Sequence, residues 1–124
     1  MLKINVKYSR NFKLPIHFIV EDNEKVIIDT IKKLKNNFKY VFTTGGIGPT
    51  HDDITSKSIA KAFNLSYGYH KKAYAILEKY YGKDKFNIGR KKMAMMPIKA
   101  SLILNPSSGA PGFCLLYTSP SPRD

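Results

Sequence analysis

The chain has 124 residues, 43% of them hydrophobic, enough for one compact domain with a buried core and too few for two. Its net charge of +12 comes from scattered lysines, with only Arg10, Arg90 and Arg123 as arginines, so it describes a solvated surface with a mild pull on anionic ligands and predicts no nucleic-acid partner. No apolar run approaches the roughly 20 residues of a membrane span, the polar start MLKINVKYSR lacks a secretory core, and the lone Cys114 excludes an internal disulfide, which together predict a cytoplasmic protein without a membrane partner.

Near the N-terminus, Leu2, Ile4, Val6, Tyr8 and Phe12 give an apolar pattern open to a strand or a broken helix. Residues 15–20 (PIHFIV) predict a short buried strand. The turn Glu21-Asp22-Asn23 follows, where Asp22 can cap a helix. That helix is predicted from Val26, Ile27, Thr30, Ile31 and Leu34 at helical spacing, and Asn36-Asn37 ends it. Residues 40–44 are the next strand. Thr55 is read as the cap of a helix through Ile59, Ala60 and Phe63, with Asn64 as its terminator. Residues 71–81 (KKAYAILEKYY) predict a helix stopped by Gly82, and 87–95 a further helical piece closed by Pro97. Residues 101–104 (SLIL) predict a strand that runs into the turn-rich stretch 105–112.

Strands alternating with helices predict an α/β fold of three layers, α/β/α, around a mostly parallel sheet. In such sheets ligands bind outside the carboxyl ends of the strands. The loops 21–23, 45–55 and 105–112 each follow a predicted strand, so all three are expected on one edge.

The most informative stretch is 43–55, TTGGIGPTHDDIT. Gly45, Gly46 and Gly48 at a strand's exit, just before a helix, make a phosphate cradle: their backbone N–H groups can approach an anion, and the helix N-terminus adds partial positive charge. Thr44, Pro49 and Thr50 belong to the same candidate cradle. Asp52 and Asp53 beside it would repel a phosphate unless a cation stood between, which predicts a divalent metal such as Mg²⁺. The plainer role for Asp53 is a helix N-cap or first-turn acid favoured by the helix dipole. His51 can donate to a phosphate, although a lone loop histidine is more often idle. His17 and His70 read as structural. No Ser-His-Asp or Cys-His set can be assembled and no His/Cys cluster has zinc spacing. Met93, Met95 and Met96 read as core filler.

TTGGIGPTHDDIT resembles the signature of the MoaB/Mog domain, the family of molybdopterin-binding and molybdopterin-adenylylating proteins. Its Gly-Gly-Ile-Gly-Pro-Thr-His-Asp-Asp spelling is most similar to the CinA (competence/damage-inducible protein A) N-terminal branch. Ile19 to Asn23 resembles that branch's acidic strand end, Lys92-Met93-Ala94-Met95-Met96-Pro97 its K-M-A-x-x-P segment, and Asn105 to Phe113 its N-P-x-G-x-A-P-G-F loop. Several ordered signatures agree, which is far more specific than one glycine motif.

The resemblance implies the MogA-like fold and carries Asp53 onto the family's catalytic, metal-holding aspartate, with Asp22 as the second catalytic aspartate. Asp52 is the weaker candidate, because that position is not acidic in the Mog branch. Ser107, Ser108 and Gly109 are expected to add ligand contacts from the second loop, against the plainer reading of a polar turn. The implied ligand is molybdopterin or a nucleotide diphosphate. The implied activity in the intact parent is metal-assisted hydrolysis of pyrophosphate bonds in ligands such as ADP-ribose. Molybdopterin adenylyl transfer in molybdenum cofactor synthesis and a non-catalytic binding module are the alternatives. Family members are often oligomeric, so a homo-oligomeric parent is admitted. Against the family, residues 1–113 read as a partial domain that begins inside the first family helix, without the first strand. Residues 114–124 resemble a translated sequencing adapter, which leaves Cys114 without a functional role.

Overall fold

In the computed structural model, which describes residues 2–9 and 16–115, the alternating LKINVKYS segment is a strand, β1 (Leu2–Ser9), with Leu2 and Ile4 fully buried. An alternating pattern suits a half-buried strand and not a helix. This resolves the N-terminal ambiguity and replaces the expectation of a family helix there; Phe12 lies outside the described residues. β1 lies between β2 (Ile16–Val20) and β3 (Phe38–Thr44), in the order β2-β1-β3.

Both pairings are antiparallel. The α/β class stands, but the mostly parallel sheet does not appear among the described residues. The cause is connectivity. Only residues 10–15 join β1 to β2, whereas parallel neighbours need a crossover of about a dozen residues or more. β2 and β3, joined through a helix, do point the same way, yet β1 separates them.

That helix, α1 (Glu24–Asn37), buries Ile27, Ile31 and Leu34 against Leu2, Ile4 and Val20. Its cap is Asn23, whose side chain accepts from the Val26 N–H at 3.1 Å, and not Asp22. α2 (Thr55–Ala62) closes the same core with Ile59 and Ala62. Lys61 of α2 reaches Glu24 of α1 at 2.6 Å. Thr55 is the first residue of α2 and not its cap; the cap position is Ile54, which makes no side-chain capping bond. Asn64 ends the helix in the left-handed region at φ 55°, where asparagine is tolerated.

A second cluster gathers Ala73, Leu77, Phe86, Ala94 and Met96. It is built on α3 (Lys71–Tyr81), α4 (Ile88–Lys92) and the two-stranded sheet of β4 (Tyr67–Tyr69) and β5 (Met95–Pro97). The helical piece expected over 87–95 is therefore shorter, and Met95 sits in a strand. His70 is structural: buried, its Nε2 donates to the Ala100 carbonyl at 2.8 Å and its Nδ1 accepts from the Ala73 N–H, capping α3.

β6 (Ser101–Ile103) and β7 (Gly112–Cys114) form a separate antiparallel pair. Phe113 packs against both clusters, and Leu115 against the first. Cys114 thus completes a strand and Leu115 joins a core, so the adapter-like reading does not keep these two residues out of the fold; residues 116–124 lie outside the described residues. Among the described residues, no helix is long and apolar enough to cross a membrane.

Candidate functional site

β3 stops at Thr44 because the next two residues turn left-handed: Gly45 has φ 99° and Gly46 φ 67°, a conformation that costs glycine little. The chain then loops back on itself. The Thr55 N–H donates to the Gly46 carbonyl at 3.0 Å, tying the loop's exit to its entry. The fit is tight. A Cβ at Gly46 would stand 2.0 Å from Thr55 Oγ1, and one at Gly48 would stand 2.8 Å from Asp53 Oδ2.

Asp53 organises the loop from inside. Its Oδ2 accepts from the Thr50 N–H at 2.9 Å and from Thr50 Oγ1 at 2.7 Å. Burial pushes the Asp53 carboxyl up, but the two Thr50 bonds, the Gly48 N–H and the nearby Lys92 charge together hold it below its ordinary value. The expected first-turn acid is thus a clasp within the turn before α2.

Lys92 fastens the loop from outside. Its Nζ donates to the carbonyl oxygens of Thr50 and of Asp53, the latter at 2.6 Å. Gly89, on the same short helix, faces Pro49: a Cβ there would lie 3.4 Å from the Pro49 carbonyl oxygen. Lys92 and Gly89 were not singled out as site residues from the sequence. Lys92 opens the K-M-A-x-x-P segment, which was the available signal.

Asp22 follows β2. Val20 pairs with Leu2 and Thr44 with Lys3, so the exits of β2 and β3 share one edge, a single strand apart. Asp22 and Asp52 are exposed, as are Thr44, Gly45, Pro49, Thr50 and His51.

The third loop differs. Because β6 and β7 form their own sheet among the described residues, strand order gives no ground for placing Ser107, Ser108 and Gly109 at that edge. Asn105 organises this loop, accepting from the Ser107 and Ser108 N–H groups and donating to Ser108 Oγ at 2.7 Å. Gly109 lies against the Tyr80 ring of α3, 2.6 Å from where its Cβ would be. A groove of about 420 Å³ lined by Leu65, Pro97, Ala100 and Leu115 includes none of the site residues.

Among the described residues, no group of three His, Cys, Asp or Glu side chains is placed to hold a metal. Asp53 offers one carboxylate. Mg²⁺ commonly takes one or two carboxylates and fills its shell with water and ligand phosphates, so this donor set suits a cation that arrives with a phosphate.

A family model described as "Probable molybdopterin binding domain" matches residues 5–119. The chain is 38% identical over 112 residues to a CinA-like protein of Geotalea uraniireducens, a match covering 89% of this chain and 27% of that protein. It is 34% identical over 102 residues to a competence-damage inducible protein of Clostridium botulinum, covering 80% of this chain and 25% of that one. The crystal structure of CinA from Thermoplasma acidophilum, titled as of unknown function, superposes with a TM-score of 0.68 at 32% identity, over 74% of this chain and 54% of that one. The chain spans about a quarter of the length of the curated relatives it matches.

Proposed function

We propose that this chain, which belongs to the MoaB/Mog molybdopterin-binding domain family in its CinA-type branch, binds a phosphorylated small molecule at the loop between β3 and α2. The ligand class is a pterin or a nucleotide diphosphate. One observation carries the reading: the glycine loop is held in a fixed shape from both sides, by Asp53 within it and by Lys92 from α4. Donors fixed in advance at a strand's exit bind an anion without the cost of ordering them. Gly45, Gly46, Gly48 and Thr50 supply the backbone and hydroxyl donors. Asp53 is the residue that would hold a divalent ion, and such an ion, when bound, neutralises phosphate charge.

For the longer protein we propose hydrolysis of a pyrophosphate bond in ADP-ribose-like ligands, with Asp53 and Asp22 as its carboxylates on one sheet edge. A binding module without turnover is the second reading. It is favoured by the commitment of the Asp53 carboxylate to Thr50. The single cysteine supports a cytoplasmic setting.

The test uses the longer protein with ADP-ribose and Mg²⁺. Release of AMP, abolished by Asp53→Asn, is the expected result. Adenylylated pterin formed from ATP would instead mean adenylyl transfer, and saturable binding without product would mean a module. No binding of any phosphorylated ligand would overturn the proposal.

A further inference from the structure

We infer that the carboxylate of Asp53 occupies the phosphate seat of the glycine loop, so that an incoming phosphate binds by displacing it. This rests on the reading of the loop as a phosphate site and adds how that site is kept closed. Two donors of one residue converge on a single oxygen: the Thr50 N–H at 2.9 Å and the Thr50 hydroxyl at 2.7 Å, both on Asp53 Oδ2. Gly48 lies beside that carboxylate, close enough that its N–H helps keep it charged. Backbone N–H groups of a turn converging on an oxyanion form an anion nest.

The close approach needs a glycine, because a Cβ at position 48 would stand 2.8 Å from Oδ2. A carboxylate oxygen and a phosphate oxygen make the same kind of charge-assisted bond to such donors. One set of donors cannot satisfy both, and an occupant tethered three residues from Thr50 has a strong local advantage.

The loop does not depend on this occupant alone. Lys92 holds the Thr50 and Asp53 carbonyl oxygens, which lie outside the seat, and the Thr55 N–H holds Gly46. The turn therefore keeps its outline when the carboxylate swings out. A swung-out carboxylate is free to meet a cation. Free phosphate is turned away, and a phosphate that brings its own cation gives both the seat and the displaced carboxylate a partner.

The experiment measures binding of inorganic pyrophosphate to the 124-residue chain by calorimetry, in EDTA and then in Mg²⁺. Asp53→Ala is expected to bind pyrophosphate in EDTA roughly tenfold more tightly than the wild type, the size of one charge-assisted competitor removed. The double variant Asp53→Ala/Thr50→Val, which lacks the hydroxyl donor but keeps the Thr50 N–H, is expected to keep only part of that gain. If Asp53→Ala does not fold, Asp53→Asn serves: a neutral, weaker occupant gives a smaller gain of the same sign. The Gly48 and Thr50 amide resonances should move with pyrophosphate in these variants. Equal or weaker binding in Asp53→Ala and Asp53→Asn would overturn the inference. So would a gain undiminished by Thr50→Val, since that would be charge relief without a shared seat. Wild-type binding in Mg²⁺ with no gain in the variants removes displacement alone; no binding by any variant in either condition removes the phosphate site as well.

Discussion

Lys92 Nζ donates to the backbone carbonyl of Asp53 at 2.6 Å, across 39 positions of sequence, and the same ammonium also serves the Thr50 carbonyl. The glycine loop leaves β3 in the first core, whereas Lys92 stands at the end of α4 over the second. The contact therefore couples the shape of the loop to the packing of α3 and α4. Lys92→Met keeps the stem and removes both donors. We expect it to cost about 1–2 kcal/mol of stability in urea unfolding. It should also speed amide exchange across the loop while leaving α1 protected. Lys92→Arg, which keeps donors and charge, should recover part of both effects. Equal exchange in the wild type and Lys92→Met would show that the loop holds its shape unaided.

The glycines of this chain are not equivalent. Gly46 and Gly82 both have positive φ, at 67° and 79°. A methyl group at Gly46 meets Thr55 Oγ1 at 2.0 Å, whereas nothing lies within 4 Å of one at Gly82. Gly82→Ala should cost only backbone strain, about 1–3 kcal/mol, because φ 79° with ψ 152° is a conformation open essentially to glycine alone. Gly46→Ala adds to its own backbone strain a clash with a fully buried side chain, worth about 1–3 kcal/mol. Thermal melts of the two variants compare them directly. Equal losses would mean that the loop yields to the methyl by moving away from α2.

Much of the loop was legible because its cause is local. Paired glycines must turn, and the run Tyr40-Val41-Phe42 before them reads as a strand. α1 and α3 were legible through helical spacing that the structure buries at Ile27, Ile31 and Leu34 and at Ala73 and Leu77. What stayed hidden was set by distant pairing. The residues 2–9 alternate as a strand should, yet their partners β2 and β3 decide the matter, and the family resemblance pointed to a helix instead. β4, with three residues, is too short to show a period. The reach of Lys92 to Thr50 leaves no trace in spacing, since a flexible stem spans separations that no helix or strand repeat encodes. The premise behind the one-edge expectation for Ser108 failed for a related reason. It assumed one parallel sheet, whereas among the described residues β6 and β7 pair only with each other.

Acid should expose the Asp53 clasp. Asp53 is held below its ordinary value: burial opposes this, and the Thr50 bonds, the Gly48 N–H and Lys92 outweigh it. Glu24 is lowered too, chiefly by its hydrogen bond to Lys61. A carboxyl depressed in the folded state binds fewer protons there than in the unfolded chain. Its stabilisation is complete above the unfolded value, near pH 4, and disappears as pH falls through the lower folded value. Asp53→Asn should therefore lower Tm most at pH 6, with the gap to the wild type narrowing toward pH 2.5. A gap that stays constant with pH would mean that the ionised carboxylate contributes nothing beyond its shape.

Thr55 gives the opposite kind of test, because its hydroxyl is a cost. The side chain is fully buried, and among the described residues Oγ1 has no hydrogen-bond partner. The Thr55 N–H, which bonds the Gly46 carbonyl, is unaffected by a side-chain change. An unsatisfied buried hydroxyl costs about 1–3 kcal/mol. Thr55→Val replaces it with a methyl of similar shape and keeps the β-branch that fills the space behind the loop. We expect a gain of about 1 kcal/mol in urea unfolding. Thr55→Ser keeps the orphaned hydroxyl and deletes the methyl, so it should lose about 1 kcal/mol. The pair separates polarity from packing: if both variants are destabilised, the hydroxyl has a partner in solution and is part of what holds the glycine loop to α2.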